Sequence, residues 1–197
     1  MLQSTLNAMV IVLCAAAAVP AQVTIGVKAG PNAADVVMTG VIDKDAEADL
    51  NVKLSYHGGV YINLALTEQL FLQGEVLYSN KGVNAITNIN LHYINIPILL
   101  QYTLTKKLFV EVGPELGYLF SARSRYGDVS NVWNNKLDIG LDAGLLLTAF
   151  PKVAVGLRFN GGFSSVQENA QAMGSNIKFQ NRVLQLSLAY NLFTKQP

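Results

Sequence analysis

The 197-residue chain has little cysteine, histidine, tryptophan or charge, and each shortage excludes something. Its single cysteine, Cys14, lies in the first 21 residues, so the remainder can form no disulfide framework and do no thiol chemistry. Only His57 and His92 are available to a Ser–His–acid arrangement. Charged residues make up 14%, against about 25% in an average soluble domain. The net charge of +1 gives a nucleic-acid partner no electrostatic support. Long apolar runs are missing too. Beyond residue 21 nothing approaches the roughly 18 apolar residues of a spanning helix. Yet 51% of the chain is hydrophobic. In lipid every backbone polar group must be paired internally, so an apolar chain without such a helix is left with a closed barrel.

The first 21 residues read as a secretory signal. Ala8 to Val19 is an apolar core, and Val19-Pro20-Ala21 is a small-residue cleavage site that makes Gln22 the mature start. Met1 to Asn7 carries no Lys or Arg, so the usual charged leader is missing. Leu13 is too large to precede a lipidated cysteine, which disfavours a lipoprotein reading of Cys14. The expected organisation is a signal peptide over 1–21 and one barrel domain over 22–197.

What the chain does have is a period of two. From Val52 to Leu66, every even position except Gly58 is a large apolar or aromatic residue. The odd positions carry Lys53, Ser55, His57, Gly59, Tyr61, Asn63 and Ala65. That is the strand period, with one greasy face. The run exceeds the usual soluble strand of about 5–6 residues and reaches the roughly 9–11 needed to cross a bilayer at a tilt. Similar alternation predicts eight strands, over 23–37, 52–66, 70–79, 92–104, 108–121, 137–149, 153–164 and 182–193. Connections near Thr67, Thr105 and Pro151 are tight. Those over 39–49, 82–90, 123–136 and 166–181 are longer and polar. Short turns on one side and long loops on the other are the outer-membrane layout, with the turns and both termini in the periplasm.

The apolar face could instead point inward, as in a soluble lipocalin-like barrel. Three features oppose this. Aromatics sit near the strand ends of the apolar face: Tyr56, Tyr78, Tyr118, Phe120 and Phe163 towards the loops, Tyr102 and Tyr190 towards the turns, as interfacial girdles require. The opposite face is rich in Gly, Ser and Asn with scattered charges, which suits the narrow interior of eight strands better than a water-facing surface. The lipocalin Gly-x-Trp signature is absent, and the lone Trp133 falls in an expected loop. The expected fold is therefore an all-β, eight-stranded antiparallel up-and-down transmembrane β-barrel.

Several segments are familiar. Val27-Lys28-Ala29-Gly30-Pro31-Asn32, His92 to Tyr102 with its Ile-Pro-Ile-Leu-Leu core, Val112-Gly113-Pro114-Glu115-Leu116-Gly117-Tyr118 and Leu184 to Tyr190 together resemble the outer membrane protein β-barrel domain family, the small "porin family" proteins of Gram-negative outer membranes. The resemblance implies an eight-stranded barrel in the cell outer membrane. It implies little about activity, although some relatives are tied to secretion machinery or adhesion.

By parity Lys28, Lys53, Glu75, Glu111, Glu115, Asp138, Asp142 and Arg158 should face the lumen. Buried charges must be paired, so a salt-bridge network filling the barrel is expected, with a narrow ion path or binding pocket as the alternative. A tight turn at Pro151 would put Asp142 opposite Arg158 or one residue away. The carboxylates Glu111 and Glu115, like Asp138 and Asp142, sit four apart along one strand face, roughly 13 Å, too far for an acid–base pair. A lipid hydrolase or acyltransferase would need His57 with a serine, of which Ser55 and Ser79 are within reach; a barrel-filling histidine is the preferred reading. His92 has the opposite parity and no assigned role. Asp43-Lys44-Asp45-Ala46-Glu47-Ala48-Asp49 resembles the start of a calcium loop but lacks the turn Gly and closing Glu. No catalytic, cofactor-binding or metal-ligating residue is assigned. Expected partners are outer-membrane lipid and lipopolysaccharide, the latter touching Arg123, Arg125, Tyr126 and Trp133, and an envelope or extracellular protein at the long loops. A monomer acting through structure or recognition is expected.

Overall fold

The computed structural model describes residues 22–39, 52–84, 88–125, 127–130, 136–163, 170–172 and 175–195. The expected signal segment, the calcium-like loop, Tyr126 and Trp133 lie outside them. Ten strands follow in chain order: β1 (Val23–Thr39), β2 (Lys53–Ala65), β3 (Leu70–Asn84), β4 (Asn88–Thr103), β5 (Leu108–Ser124), β6 (Gly127–Asp128), β7 (Leu137–Phe150), β8 (Val153–Gly162), β9 (Ala170–Ala172) and β10 (Ser175–Lys195). Eight of them, all but the short β6 and β9, pair antiparallel to their neighbours, and β10 returns to β1 to close the barrel. No sheet edge is left along the wall, which removes the open ladder that lipid could not satisfy.

The strands alternate as the sequence does. Ile25, Ile62, Ile96, Leu116, Leu157 and Leu186 lie on the outer surface, while all eight charged residues expected inside are buried. The apolar face therefore looks out and the ionic face looks in. Two short turns share one chemistry, Leu-Thr-x-x-Leu. The Thr67 hydroxyl oxygen accepts from the Leu70 N–H at 3.0 Å, and the Thr105 hydroxyl oxygen from the Leu108 N–H at 3.1 Å. A threonine side chain thus stands in for a backbone acceptor and sets each tight turn.

Glycines and prolines place the corners. A Cβ on Gly30 would lie 1.9 Å from the Leu186 carbonyl oxygen, on Gly59 2.0 Å from that of Val76, and on Gly113 1.9 Å from that of Ile98. At these inward points the neighbouring backbone occupies the side-chain position, so only glycine fits. Pro31 and Pro114 follow two of them and donate no N–H to the ladder. Glycine kinks of this kind let a twisted sheet bend far enough to close.

The largest differences from the sequence reading are extensions at the long-loop end, while β2 and β8 end up to two residues short of it. The expected long connection over 82–90 is mostly strand, since β3 runs to Asn84 and β4 starts at Asn88. Likewise β10 begins at Ser175 rather than near residue 182. The ladder runs on past the segments with the clearest alternation, pairing Val83 with Ile89 and Met38 with Phe179.

Candidate functional site

The lumen collects the chemistry, and it is divided into layers. Midway along the lumen, an ionic cluster is built around Arg158 on β8. Its Nη1 and Nη2 donate to the Glu75 carboxylate at 2.9 and 2.8 Å, an end-on fork, and its Nε donates to Glu111 at 2.7 Å. Asp142 lies 3.6 Å from Nη1. Lys28 Nζ meets Glu75 at 2.7 Å. Gln73 donates to Glu75 at 2.6 Å and Gln101 to Glu111 at 3.0 Å. A second cluster stands nearer the outside: Lys81 contacts Glu115 at 3.2 Å and Asp138 at 3.7 Å, and Asn95 donates to Glu115. Lys53 donates to the Asn90 side-chain oxygen at 2.6 Å.

The two carboxylate pairs weighed for catalysis are split by this arrangement. Glu111 and Asp142 belong to the inner cluster, Glu115 and Asp138 to the outer one. Asp142 is not opposite Arg158. Its partner is Asn160, and Arg158 faces Gly144. An irregularity between Thr148 and Phe150 shifts the register by one residue, pairing Asp142 with Asn160 where an unbroken ladder from Phe150↔Val153 would give Gly161, and Asp142 and Arg158 meet diagonally. Gly144 leaves the space: a Cβ there would stand 3.1 Å from Glu111 Oε1.

His57 is buried in the lumen between Asn32 and Ser187. Its Nδ1 is 2.6 Å from Asn32 Oδ1 and its Nε2 is 3.0 Å from Ser187 Oγ. The Asn32 amide nitrogen donates to Ser79, so Oδ1 is free to accept from a protonated Nδ1. Ser187 then donates to Nε2. The order Ser–His–Asn has the topology of a nucleophile, base and orienting group, but all three are on the ionic side of the wall, away from acyl chains. The serines expected near His57 are close by but bonded to other groups: Ser79 is its register partner on β3 and accepts from Asn32, and Ser55 donates to the Asn80 carbonyl at 2.5 Å.

Towards the loops the lumen is mixed, with buried Lys81 opposite Leu91 and an apolar cluster beside it. Leu91, Tyr93, Leu119 and Ala122 form a buried layer against which Val129 packs. The strand β6 and Ser130 fold this segment back, with the Val129 N–H donating to the Ala122 carbonyl at 3.0 Å. Asp128 accepts from the Ser130 N–H at 2.8 Å; hydrogen bonds from Ser130 hold its carboxyl below the usual range. Gly127 supplies the turn with φ 128°, a region that favours glycine.

On the outer wall the two aromatic belts stand where expected. Tyr56, Tyr118, Phe120 and Phe163 are exposed near the loop end, Tyr102 and Tyr190 near the turns. Phe150 and Phe193, which the sequence reading did not single out, join the lower belt. Tyr78 is half-buried, with its ring 5.9 Å from that of Tyr56, and its hydroxyl is 2.7 Å from His92 Nδ1. The sequence reading also missed Lys81, Asn32 and Ser187. Each keeps inward parity with its strand, so extending the alternation two residues past Ser79 would have found Lys81.

A closed eight-stranded antiparallel barrel with a girdled apolar exterior defines an outer-membrane β-barrel protein. Residues 17–168 match the family model described as outer membrane protein beta-barrel domain, and the chain belongs to that family. The fold is similar to that of Neisserial surface protein A, at 9% identity and a TM-score of 0.55, covering 85% of this chain and 97% of that one. It is also similar to Ail, the attachment invasion locus protein of Yersinia pestis, solved with the heparin analogue sucrose octasulfate, at 11% identity and a TM-score of 0.51, covering 88% and 100%. A search of curated proteins finds no match.

Proposed function

We propose that the protein is a monomeric recognition or structural element of the outer membrane, acting through its extracellular rim and neither conducting nor catalysing. The lumen carries the argument. Arg158, Glu75, Glu111 and Lys28 cross-link facing walls where a pore would run, and an apolar layer stands above them. The Ser187–His57–Asn32 chain faces inward, which separates it from any lipid substrate. What remains outside is the rim. Arg123 and Arg125 are exposed at the extracellular end of β5, beside the Tyr78–His92 pair. Such cations suit phosphate and sulfate groups, as in lipopolysaccharide. The neighbouring Ail fold, crystallised with a polysulfated sugar, supports the same class of ligand.

The test is binding of the refolded protein to vesicles with and without lipopolysaccharide, using a charge reversal of Arg123 and Arg125. Binding that prefers lipopolysaccharide, weakens with salt and drops in the double variant is expected. Unitary conductance in a planar bilayer, or altered lipid A acylation that His57→Ala abolishes, would overturn the reading.

A further inference from the structure

The lumen is not filled along its whole length. A cavity of about 260 Å³ lies at the short-turn end, between the ion cluster and the periplasmic mouth. Lys28 and Gln73 form its floor, six residues up β1 from Gln22, or about 20 Å of strand. Beyond the ion cluster, the Lys81–Glu115–Asp138 group and the Leu91, Tyr93, Leu119 and Ala122 cluster occupy the lumen towards the loops. The space is therefore a cup open on the periplasmic side.

We infer that this cup binds a neutral sugar unit carrying hydroxyl and acetamido groups, presented on the periplasmic side. The proposal goes beyond the rim function and does not depend on it.

Charge excludes ionic ligands first. Lys28 is the one cationic side chain of the lining and is already held by Glu75 at 2.7 Å. The carboxylates of Glu75 and Glu111 stand behind Gln73 and Gln101, which donate to them. An anion would find no free cationic side chain at the floor, and a cation no uncovered carboxylate.

The polar groups left over then set the ligand's chemistry. Asn63 spends its amide nitrogen on Gln73 at 3.1 Å and Gln101 at 2.7 Å, leaving Oδ1 as an acceptor facing the space. Tyr61 donates to Asn191 Oδ1, leaving the Asn191 amide nitrogen as a donor. The Thr148 hydroxyl serves either way. A small framework with donors and acceptors on one edge answers all three. The rings of Phe71 and Phe109 also line the cup, in edge contact with centroids 5.9 Å apart. They offer a C–H-rich face a flat apolar platform. The volume lies just under the roughly 300–1,000 Å³ of drug-sized sites, which limits the occupant to about one ring.

The test uses the protein refolded in phosphocholine micelles, free of glycoside detergents, with the side-chain amide signals of Asn63 and Asn191 followed by NMR. The probes are N-acetylglucosamine and, as a peptide-like amide without hydroxyls, N-acetylalanine methylamide. Saturable shifts at both amides with the sugar, about tenfold weaker with the peptide amide, are expected for the loss of a hydrogen-bonding edge. Phe109→Ala, which leaves every ion pair intact, should abolish them, and Asn191→Leu should abolish them at Asn63. No saturable shift, equal affinity for the peptide amide, or binding that survives both variants would overturn the proposal. A heat-modifiability gel verifies that each variant is folded before titration.

Discussion

Removing Arg158 should be among the most damaging single changes available to this barrel. Arg158→Met deletes the fork to Glu75, the 2.7 Å bond to Glu111 and the 3.6 Å contact with Asp142. Glu75 keeps Lys28 at 2.7 Å and Gln73 at 2.6 Å. Glu111 keeps only the Gln101 amide at 3.0 Å. Its side chain is 2% exposed, so water cannot replace the lost cation. A stranded buried carboxylate costs about 3–5 kcal/mol. With a urea slope of about 2 kcal/mol per M, the unfolding midpoint should fall by about 1.5–2.5 M. The assay is urea titration in phospholipid vesicles, read by the shift between folded and unfolded bands on an unheated gel. Adding Glu111→Gln to Arg158→Met removes the stranded charge and should recover a large part of the loss, a positive coupling between the two sites. A midpoint within about 0.25 M of the parent for Arg158→Met, corresponding to about 0.5 kcal/mol, would refute the reasoning. So would a double variant weaker than the single one.

Four further substitutions probe the wall. Leu186→Arg puts a charge on the lipid face in the middle of β10 and should cost about 2–4 kcal/mol in vesicles. Ser187→Ala, one residue away and inward, should cost only about 1 kcal/mol for the lost hydrogen bond to His57, and equal costs would mean the faces are misassigned. Gly113→Ala, whose Cβ would meet the Ile98 carbonyl oxygen at 1.9 Å, should lose about 1–3 kcal/mol through forced strand displacement. Gly74→Ala, with nothing nearer than 3.8 Å, should be neutral by the same urea titration.

The parts of this fold written in the sequence are those where lipid imposes a rule. Val60, Ile62 and Leu64 must alternate with Tyr61 and Asn63 because one side of β2 meets acyl chains. That constraint makes the strand, its facing and the eight inward charges readable from one chain. It weakens towards the rim, where the Asn-rich stretch over 82–90 predicts a connection although β3 and β4 pair as far as Asn84 and Asn88. Partners within the lumen were less legible. They depend on register, and register depends on turn geometry that parity alone does not encode. Asp142 shows this: its facing was readable, but the slide after Thr148 that gives it Asn160 was not. Leu77 and Leu91 were hidden for another reason. They are apolar residues at inward positions, and an apolar residue in a membrane strand looks like lipid contact until its parity is checked against neighbours.

The ionic lumen raises a question that burial alone does not answer, since well-packed apolar side chains can replace buried ion pairs at no loss of stability. Facing supplies a reason. A strand whose two sides were both apolar would fit the bilayer in either register, because a slip of one residue exchanges the faces. With Glu75, Glu111 and Arg158 inside, the same slip drives a charge from β3, β5 or β8 into lipid, at about 2–4 kcal/mol for the arginine at midplane. On this argument the charges specify which side is in during assembly and add little to the finished barrel. Replacing Lys28, Glu75, Glu111 and Arg158 together by Met, with Asp142→Asn so that no charge of the cluster is stranded, should leave the urea midpoint of correctly folded protein close to the parent, in contrast to Arg158→Met alone. The yield of protein reaching the folded band should fall, with the remainder trapped in non-native pairings. A variant without the cluster that assembles at parental yield would show that the apolar pattern and the glycine corners fix the register without help from the charges.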